Sequence, residues 1–220
     1  MHERMSLKER MRQVLLLMEE QYGHETEIPV RLGDPFKTLI GCVLSHRTRS
    51  ENSRRATENL FQKVSCPKDV LAIPSEELKG LIRCSGFYNQ KSRSIRAICE
   101  TLLDEHGGVV PRGRAELMSL PGVGPKTADI VLSHAYGENA IAVDVHVATV
   151  ARRLDFVAPE ANPEEIKKAL ESLNSPEKYG FVDELFFRHG KKRCRTRNPA
   201  CEDCFLGGFC EYRSGTISRC

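Results

Sequence analysis

The stretch "LPGVGPKTADI", residues 120–130, reads as the start of a helix, yet it opens with two glycines and a proline and carries a lysine in its first turn. Helix starts favour Ser, Asp or Asn as caps, followed by acidic residues. Before it "RAELMSL" reads as one helix, and after it "PKTADIVLSHAYG" reads as another. The link Gly122-Val123-Gly124 is too short for anything but a tight helical hairpin. Glycines permit positive φ and close approach by another backbone or a ligand. Successive backbone N–H groups in such a turn form a concave donor nest, and the helix N-terminus adds partial positive charge. A phosphate suits both, while a helix corner with glycines for packing is the simpler reading.

Lys126 adds chemistry to the hairpin. A cation is disfavoured in the first turn of a helix, and an amine that sheds its proton there is a nucleophile able to form a Schiff base with a sugar carbon. A lysine reaching solvent or pairing with a phosphate is the plainer alternative. Eighteen residues on, "AIAVDVHVATVARRL" places Asp144 between an apolar run and a new helix. It can be an N-cap, or the carboxylate that deprotonates the amine or stabilises a developing sugar cation.

Outward from this centre, the helical pattern continues nearly everywhere. "SLKERMRQVLLLMEEQYG" is amphipathic and stops at a glycine; "DPFKTLIGCVLSH" opens with Asp34 as cap and Pro35 at the first helical position. The same start signature returns at Asn162-Pro163 and Ser175-Pro176, and "NQKSRSIRAICETLLDEHGG" ends on a glycine pair. The best apolar alternation, "AIAV", is too short to found a sheet. The sequence predicts an all-α protein of roughly ten helices, without low-complexity segments, repeats or a compositional linker.

At 220 residues, with 40% hydrophobic and 29% charged content, the chain has the composition of a soluble globular protein of one large or two small domains. No run approaches the ~20 apolar residues of a membrane span. The start "MHERMSLKERMRQ" lacks the apolar core of a secretory signal, so an intracellular, cytoplasmic and nucleoid-associated location is expected. Net charge is only +3, but its distribution is uneven. Arg188, Lys191, Lys192, Arg193, Arg195 and Arg197 follow one another without an intervening acid, and "SHRTRSENSRR" is a second basic run. Such stretches suit a polyanionic partner. They also suit a solvated surface.

Nine cysteines are many for an intracellular chain. Cys42, Cys66, Cys84 and Cys99 read as small buried hydrophobes, and Cys220 as mobile. Cys194, Cys201, Cys204 and Cys210 crowd into "CRTRNPACEDCFLGGFC", which points to metal rather than disulfides. Zinc ribbons usually show two CxxC pairs. One CxxC flanked asymmetrically better suits a 4Fe-4S cluster, with zinc as the alternative. The surrounding arginines then have charge to balance at an anionic cluster.

The spacing Cys-x6-Cys-x2-Cys-x5-Cys, about fifty residues after "LPGVGPKTADIVL" and "VDVHVATVARRL", resembles the endonuclease III family of DNA glycosylases, a branch of the helix-hairpin-helix superfamily. "GFYNQKSRSI" and "CEYR" are similar to family segments, and the likeness runs from about residue 8 to 213. It implies two helical domains with a cleft between them: a six-helix domain over 28–138 containing the hairpin, and an iron–sulfur domain from 1–27 plus 139–220. It implies Lys126 as the Schiff-base lysine and Asp144 as the catalytic aspartate. The four clustered cysteines become 4Fe-4S ligands, and Gly122, Val123 and Gly124 the phosphate-binding hairpin. Phe87 falls where the family places an apolar wedge, and His46 and Arg47 where a side chain fills the gap left by an extruded base. His146, Lys191, Arg193, Arg195 and Arg197 join the DNA-contacting set. At His46-Arg47 the chain departs from better-known bacterial members, which carry a small residue followed by glutamine.

The activity so implied is a bifunctional glycosylase and abasic-site lyase acting on double-stranded DNA with oxidised pyrimidines of the thymine glycol type, or with abasic sites, by a protein with no sign of obligate oligomerisation. A monofunctional adenine or mismatch glycosylase of the same fold is disfavoured by Lys126 and by the lack of a glutamate in "TLIGCVLSHRTR". A non-catalytic iron–sulfur DNA-binding protein would have no use for the Lys126–Asp144 pair.

Overall fold

The computed structural model describes residues 5–23 and 33–215; Cys220 and the expected domain boundary at 27/28 lie outside them. Among the described residues there are twelve α-helices and two 3-10 turns and no strand, so the all-α expectation holds. The alternating "AIAV" segment runs as buried coil. The chain divides into two compact units: Val30–Glu138, and Met1–Pro29 with Asn139–Cys220.

The first unit contains α2 (Pro35–Ser45), α3 (Ser50–Phe61), α4 (Pro67–Ala72), α5 (Ser75–Leu81), α6 (Tyr88–His106), α7 (Arg114–Ser119) and α8 (Pro125–Ala135). Asp34 caps α2 as its sequence signature predicts, its carboxylate accepting from Lys37 N at 2.7 Å. Helix α2 packs against α3, α6 and α8, and α6 against α4 and α5. Leu39, Ile40, Leu44, Ile95, Leu102 and Val131 form the centre of this core. Burial of each such side chain contributes about 1.5–3 kcal/mol. Helix α6 ends where Gly107 and Gly108 take positive φ, 59° and 81°, a conformation costly for residues with a Cβ.

The other unit contains α1 (Leu7–Tyr22), α9 (Val145–Arg153), α10 (Pro163–Leu173), α11 (Tyr179–Lys192) and α12 (Glu211–Ser214). Helix α1 starts at Ser6, whose hydroxyl accepts from Glu9 N, and stops at Gly23. Asn162 caps α10 in a reciprocal box with Glu165. Ser175-Pro176 behaves differently from the signature it shares with Asn162-Pro163. It opens a 3-10 turn, Pro176–Lys178, before α11, because Ser175 Oγ donates to the Glu177 carboxylate instead of capping a backbone N–H. Met11, Met18, Val147, Val150, Leu185 and Phe186 lie in the core of this unit.

The scattered cysteines meet the buried expectation unevenly. Cys99 alone is fully buried, whereas Cys42, Cys66 and Cys84 are partly exposed. Cys66 stands at the N-terminus of α4, and the Cys84 thiol reaches the Asn52 carbonyl at 3.5 Å. Cys66 therefore caps a helix start, and Cys84 lies in the turn between α5 and α6.

Helices α9 and α11 meet at Gly190. A Cβ there would stand 2.7 Å from His146 Cβ and 3.0 Å from His146 O, so only glycine allows this approach. Gly190→Ala must push the helices apart, and an overpacking cost of about 1–3 kcal/mol is expected. A lowered thermal unfolding midpoint checks it; an unchanged midpoint would show that α9 and α11 yield without loss.

Candidate active site and cysteine module

The hairpin is built from α7 and α8. Helix α7 has six residues, too few to hold a helix by itself. It is fastened to α8 by a bidentate ion pair, Arg114 donating through Nε to Asp129 Oδ1 at 2.8 Å and through Nη2 to Oδ2 at 3.1 Å. Asp129 is buried, and planar fork-to-carboxylate pairing fixes angle as well as distance. In the connecting turn only Gly122 needs positive φ, 74°. Gly124 is extended, with no atom within 4 Å of where a Cβ would be. Packing within the unit therefore leaves its missing side chain unexplained. Val123 departs from the expected nest: its side chain is buried and its N–H already donates to Leu120 O at 3.1 Å.

Lys126 stands exposed in the first turn of α8. It lines a cavity of about 620 Å³ with His46, Arg47, Phe87, Gln90, Lys91 and Gly122 among the other walls, a volume in the range of ligand-sized clefts. The hairpin lysine and the three residues expected to distort a nucleic acid thus share one concavity. Phe87 is 61% exposed, an unusual setting for a phenyl ring. Phe87 and Arg47 both adopt left-handed backbone, φ 59° and 50°. Each such residue costs on the order of 1–3 kcal/mol unless its surroundings impose the conformation.

Two groups near Lys126 have shifted titration, chiefly through burial. Burial pushes the Cys42 thiol up to about 11 although the lysine opposes the shift. Partial burial holds the His46 imidazole below its ordinary value, and the charges of Lys91 and Lys126 push the same way. His46 Nε2 lies 3.3 Å from Thr127 Oγ1.

Sequence reasoning passed over Lys91. It is buried, and its ammonium donates to Leu44 O, His46 O, Thr48 Oγ1 and Ser85 Oγ at 2.6–2.8 Å. Burial pulls its pKa down to about 8, so the group stays mostly protonated at neutral pH. A signal was available: Lys91, Ile95, Ile98 and Leu102 fall on the buried face of α6.

In the other unit, Asp144 is the N-cap of α9, its Oδ1 accepting from His146 N at 2.8 Å and Val147 N at 2.9 Å. His146 packs edge-on to Phe187, ring centroids 5.5 Å apart. Cys194, Cys201, Cys204 and Cys210 line one enclosed cavity with Leu154, Leu206 and His189. Burial raises the Cys194 and Cys204 thiols, while Arg153 opposes the shift at Cys194. Among the described residues no three His, Cys, Asp or Glu form a group able to hold a single metal ion; the four thiols share a cavity without converging.

Arg153, also missed in the sequence, organises the loop that follows. It donates to Cys194 O, Arg195 O and Thr196 O at 2.9–3.3 Å and to Cys194 Sγ at 3.4 Å, and lies over the Tyr212 ring. The basic run is partly neutralised: Arg188 pairs with Glu184, and Arg193 with Asp203. Lys191, Arg195 and Arg197 remain exposed. No helix among the described residues is long and apolar enough to cross a membrane.

Residues 40–176 match the family described as HhH-GPD superfamily base excision DNA repair protein, a class that the hairpin and its lysine-bearing cavity suit. Endonuclease III of Thermotoga maritima is 41% identical over 81% of this chain and 84% of its own. Endonuclease III of Escherichia coli K12 is 34% identical over 91% and 94%. A solved structure of a trapped endonuclease III–DNA covalent intermediate superposes with a TM-score of 0.88 at 35% identity, covering 97% of this chain and all of that one. The chain belongs to the endonuclease III family.

The protonated form of His46 is disfavoured by two neighbouring cations, so removing one must raise its pKa. An NMR titration of the imidazole is expected to show a midpoint below the ordinary 6.5, moving upward in Lys126→Gln. An identical midpoint in both proteins would show that the lysine charge does not reach the ring.

Proposed function

We infer that this chain is a bifunctional DNA glycosylase and abasic-site lyase that removes oxidised pyrimidines of the thymine glycol type through Lys126. The observation that carries the reading is the placement of an exposed lysine at the hairpin, in one cavity with Phe87, His46 and Arg47. The trapped covalent endonuclease III–DNA intermediate of its relative supports an attack by a protein nucleophile.

In this mechanism the Gly122 and Gly124 region and the N-terminus of α8 receive a DNA phosphate. Lys191, Arg195 and Arg197 add nonspecific phosphate contacts. Phe87 enters the stack as a wedge while a damaged nucleotide leaves it, at lower cost than an intact one because damaged bases stack poorly. The Lys126 amine attacks C1′, and the base departs with the C1′–N bond electrons and takes up a proton. The attached nitrogen then gives up a proton and the C1′–O4′ bond opens, O4′ leaving with the bond electrons and taking up a proton, so that C1′ and nitrogen are joined as a protonated Schiff base. That imine acidifies the C2′ proton; its removal expels the 3′ phosphate by β-elimination and cuts the strand. Asp144 is proposed as the carboxylate that moves the proton and stabilises the sugar cation. Segments 28–138 and 1–27 with 139–220 are proposed as the hairpin domain and the cysteine domain.

The spacing of the four cysteines, one CxxC flanked asymmetrically, and the cavity that they share support a 4Fe-4S cluster, with zinc as the alternative. When bound, the cluster supplies a rigid cross-link rather than hydrolytic chemistry. Arg153 holds the loop after Cys194 in shape, and its charge offsets that of thiolates.

The test is borohydride trapping on a duplex carrying one thymine glycol, beside an abasic control. Wild type is expected to give a covalent band on both, and Lys126→Gln on neither; strand cleavage by Lys126→Gln would remove the lysine from its role. Asparagine caps helices as well as aspartate does, so Asp144→Asn should keep its unfolding temperature and DNA affinity while base release slows by roughly 10²-fold or more. An equal loss of binding and rate would leave Asp144 as a cap alone.

For the cofactor, anaerobically purified protein is expected to be brown, with matched iron and acid-labile sulfide and a broad absorbance in the visible blue. Cys204→Ser should lose iron. A colourless, zinc-containing protein would overturn the assignment.

A further inference from the structure

We propose that Lys91 is a positioning residue for nucleotide extrusion, its buried ammonium locking together the two turns that present Arg47 and Phe87. The proposal rests on the glycosylase reading above and extends it to a residue that touches no reacting atom.

Lys91 Nζ donates to Leu44 O at 2.8 Å, His46 O at 2.6 Å, Thr48 Oγ1 at 2.8 Å and Ser85 Oγ at 2.8 Å. Three hydrogens therefore serve four oxygens in a closed cage. Two of the acceptors are carbonyls at the C-terminal end of α2, where intrahelical partners run out and the helix dipole favours a cation. The other two are hydroxyls, one on each turn.

The cage is braced twice more. Ser85 Oγ donates to Leu44 O at 2.9 Å, and Gly86 N donates to Thr48 Oγ1 at 3.0 Å. A Cβ on Gly86 would be 3.3 Å from Arg47 O, so the turns meet backbone to backbone. Arg47 and Phe87, the left-handed residues at this crossing, follow directly on cage residues: Arg47 on His46, and Phe87 on Gly86. The interaction explains how an exposed phenylalanine with little packing of its own keeps a strained backbone. It also separates Lys91 from Lys126. The Lys91 amine is enclosed by acceptors and cannot approach a sugar carbon, whereas Lys126 is open to the cavity.

Without the ammonium, the four oxygens lose the one donor they share and only the weaker braces around them remain, so both turns can relax to ordinary backbone and the wedge is no longer set before DNA arrives. Misplacement by an ångström is enough to cost about a hundredfold in rate. The chemistry at Lys126 on an already unstacked sugar should suffer far less, because it needs no wedge.

The experiment compares wild type with Lys91→Met, which keeps the length and removes the charge and donors. Three readouts are taken on protein shown to be folded by its thermal transition. The first is the fluorescence of 2-aminopurine opposite a tetrahydrofuran abasic analogue in duplex DNA, which reports unstacking. The second is excision of thymine glycol from duplex. The third is borohydride trapping on a single-stranded abasic oligonucleotide. Lys91→Met is expected to lose most of the fluorescence rise and about tenfold to a hundredfold in excision, while single-strand trapping falls much less. If Lys91→Met does not fold, Ser85→Ala, which opens one side of the cage, is expected to show the same split to a smaller degree.

Wild-type fluorescence and excision in the folded variant would overturn the proposal. So would a loss of single-strand trapping as large as the loss of excision, since that would place the effect on Lys126. Failure of the wild type to trap at all would overturn the enzymatic reading itself, an outcome visible before any variant is made.

Discussion

The bidentate pair between Arg114 and buried Asp129 is the contact on which the hairpin depends. A six-residue helix cannot survive on backbone bonds, and the glycine turn after it supplies no side-chain packing beyond Val123. A planar guanidinium held against a carboxylate, together with Leu117 and Leu120 buried in the core, fixes the angle at which α7 meets α8. That angle in turn decides where Gly122, Gly124 and the first turn of α8 present their donors, and where Lys126 emerges. A carboxylate left buried without its partner would carry an uncompensated charge, so the pair holds the hairpin in a single geometry.

The same solution recurs with the sign of the problem reversed. Loops that project functional side chains expose carbonyls which helices no longer satisfy. In the hairpin unit Lys91 gathers the carbonyls at the end of α2; in the cysteine unit Arg153 gathers those of Cys194, Arg195 and Thr196. Each cation comes from an adjacent helix, and each is mostly withdrawn from water. Lysine suits the compact cage of four oxygens at the first site, while arginine, with a fork of donors, spans the wider spread of acceptors at the second. Neither cation is available to DNA, although both would be counted in any tally of basic residues.

This distinction explains what was legible in the sequence. Helix boundaries marked by Asp34-Pro35, Asn162-Pro163, Gly23 and Gly107 were readable because capping is local: a side chain bonds a backbone group two or three residues away. Ser175-Pro176 misled because a serine hydroxyl can donate as well as accept, and Glu177 took it. The hairpin was readable from its glycines, and the thiol cluster from cysteine spacing. Lys91 and Arg153 were not picked out, since their partners lie some forty residues away in sequence. The clue was a cation standing on an apolar helical face, which helical periodicity exposes once one asks why a charge would be there. Within the basic run the pairing was hidden, because Glu184 and Asp203, which pair with Arg188 and Arg193, lie just outside it.

Strain and charge at the cavity then have a common logic. Arg47 and Phe87 occupy left-handed backbone within a unit whose core is otherwise ordinary, and such conformations persist only where surrounding bonds impose them. In the wedge role proposed for Phe87, a ring that relaxed when unbound would have to be re-formed on every encounter with DNA, adding the cost of ordering it to the cost of unstacking. Holding the strain in the free protein moves that cost to folding, where the apolar core of α2, α3, α6 and α8 can offset it. The positive cluster of Lys91 and Lys126 works in the same direction on His46. Partial burial of the ring favours the neutral imidazole, and the two charges add to it.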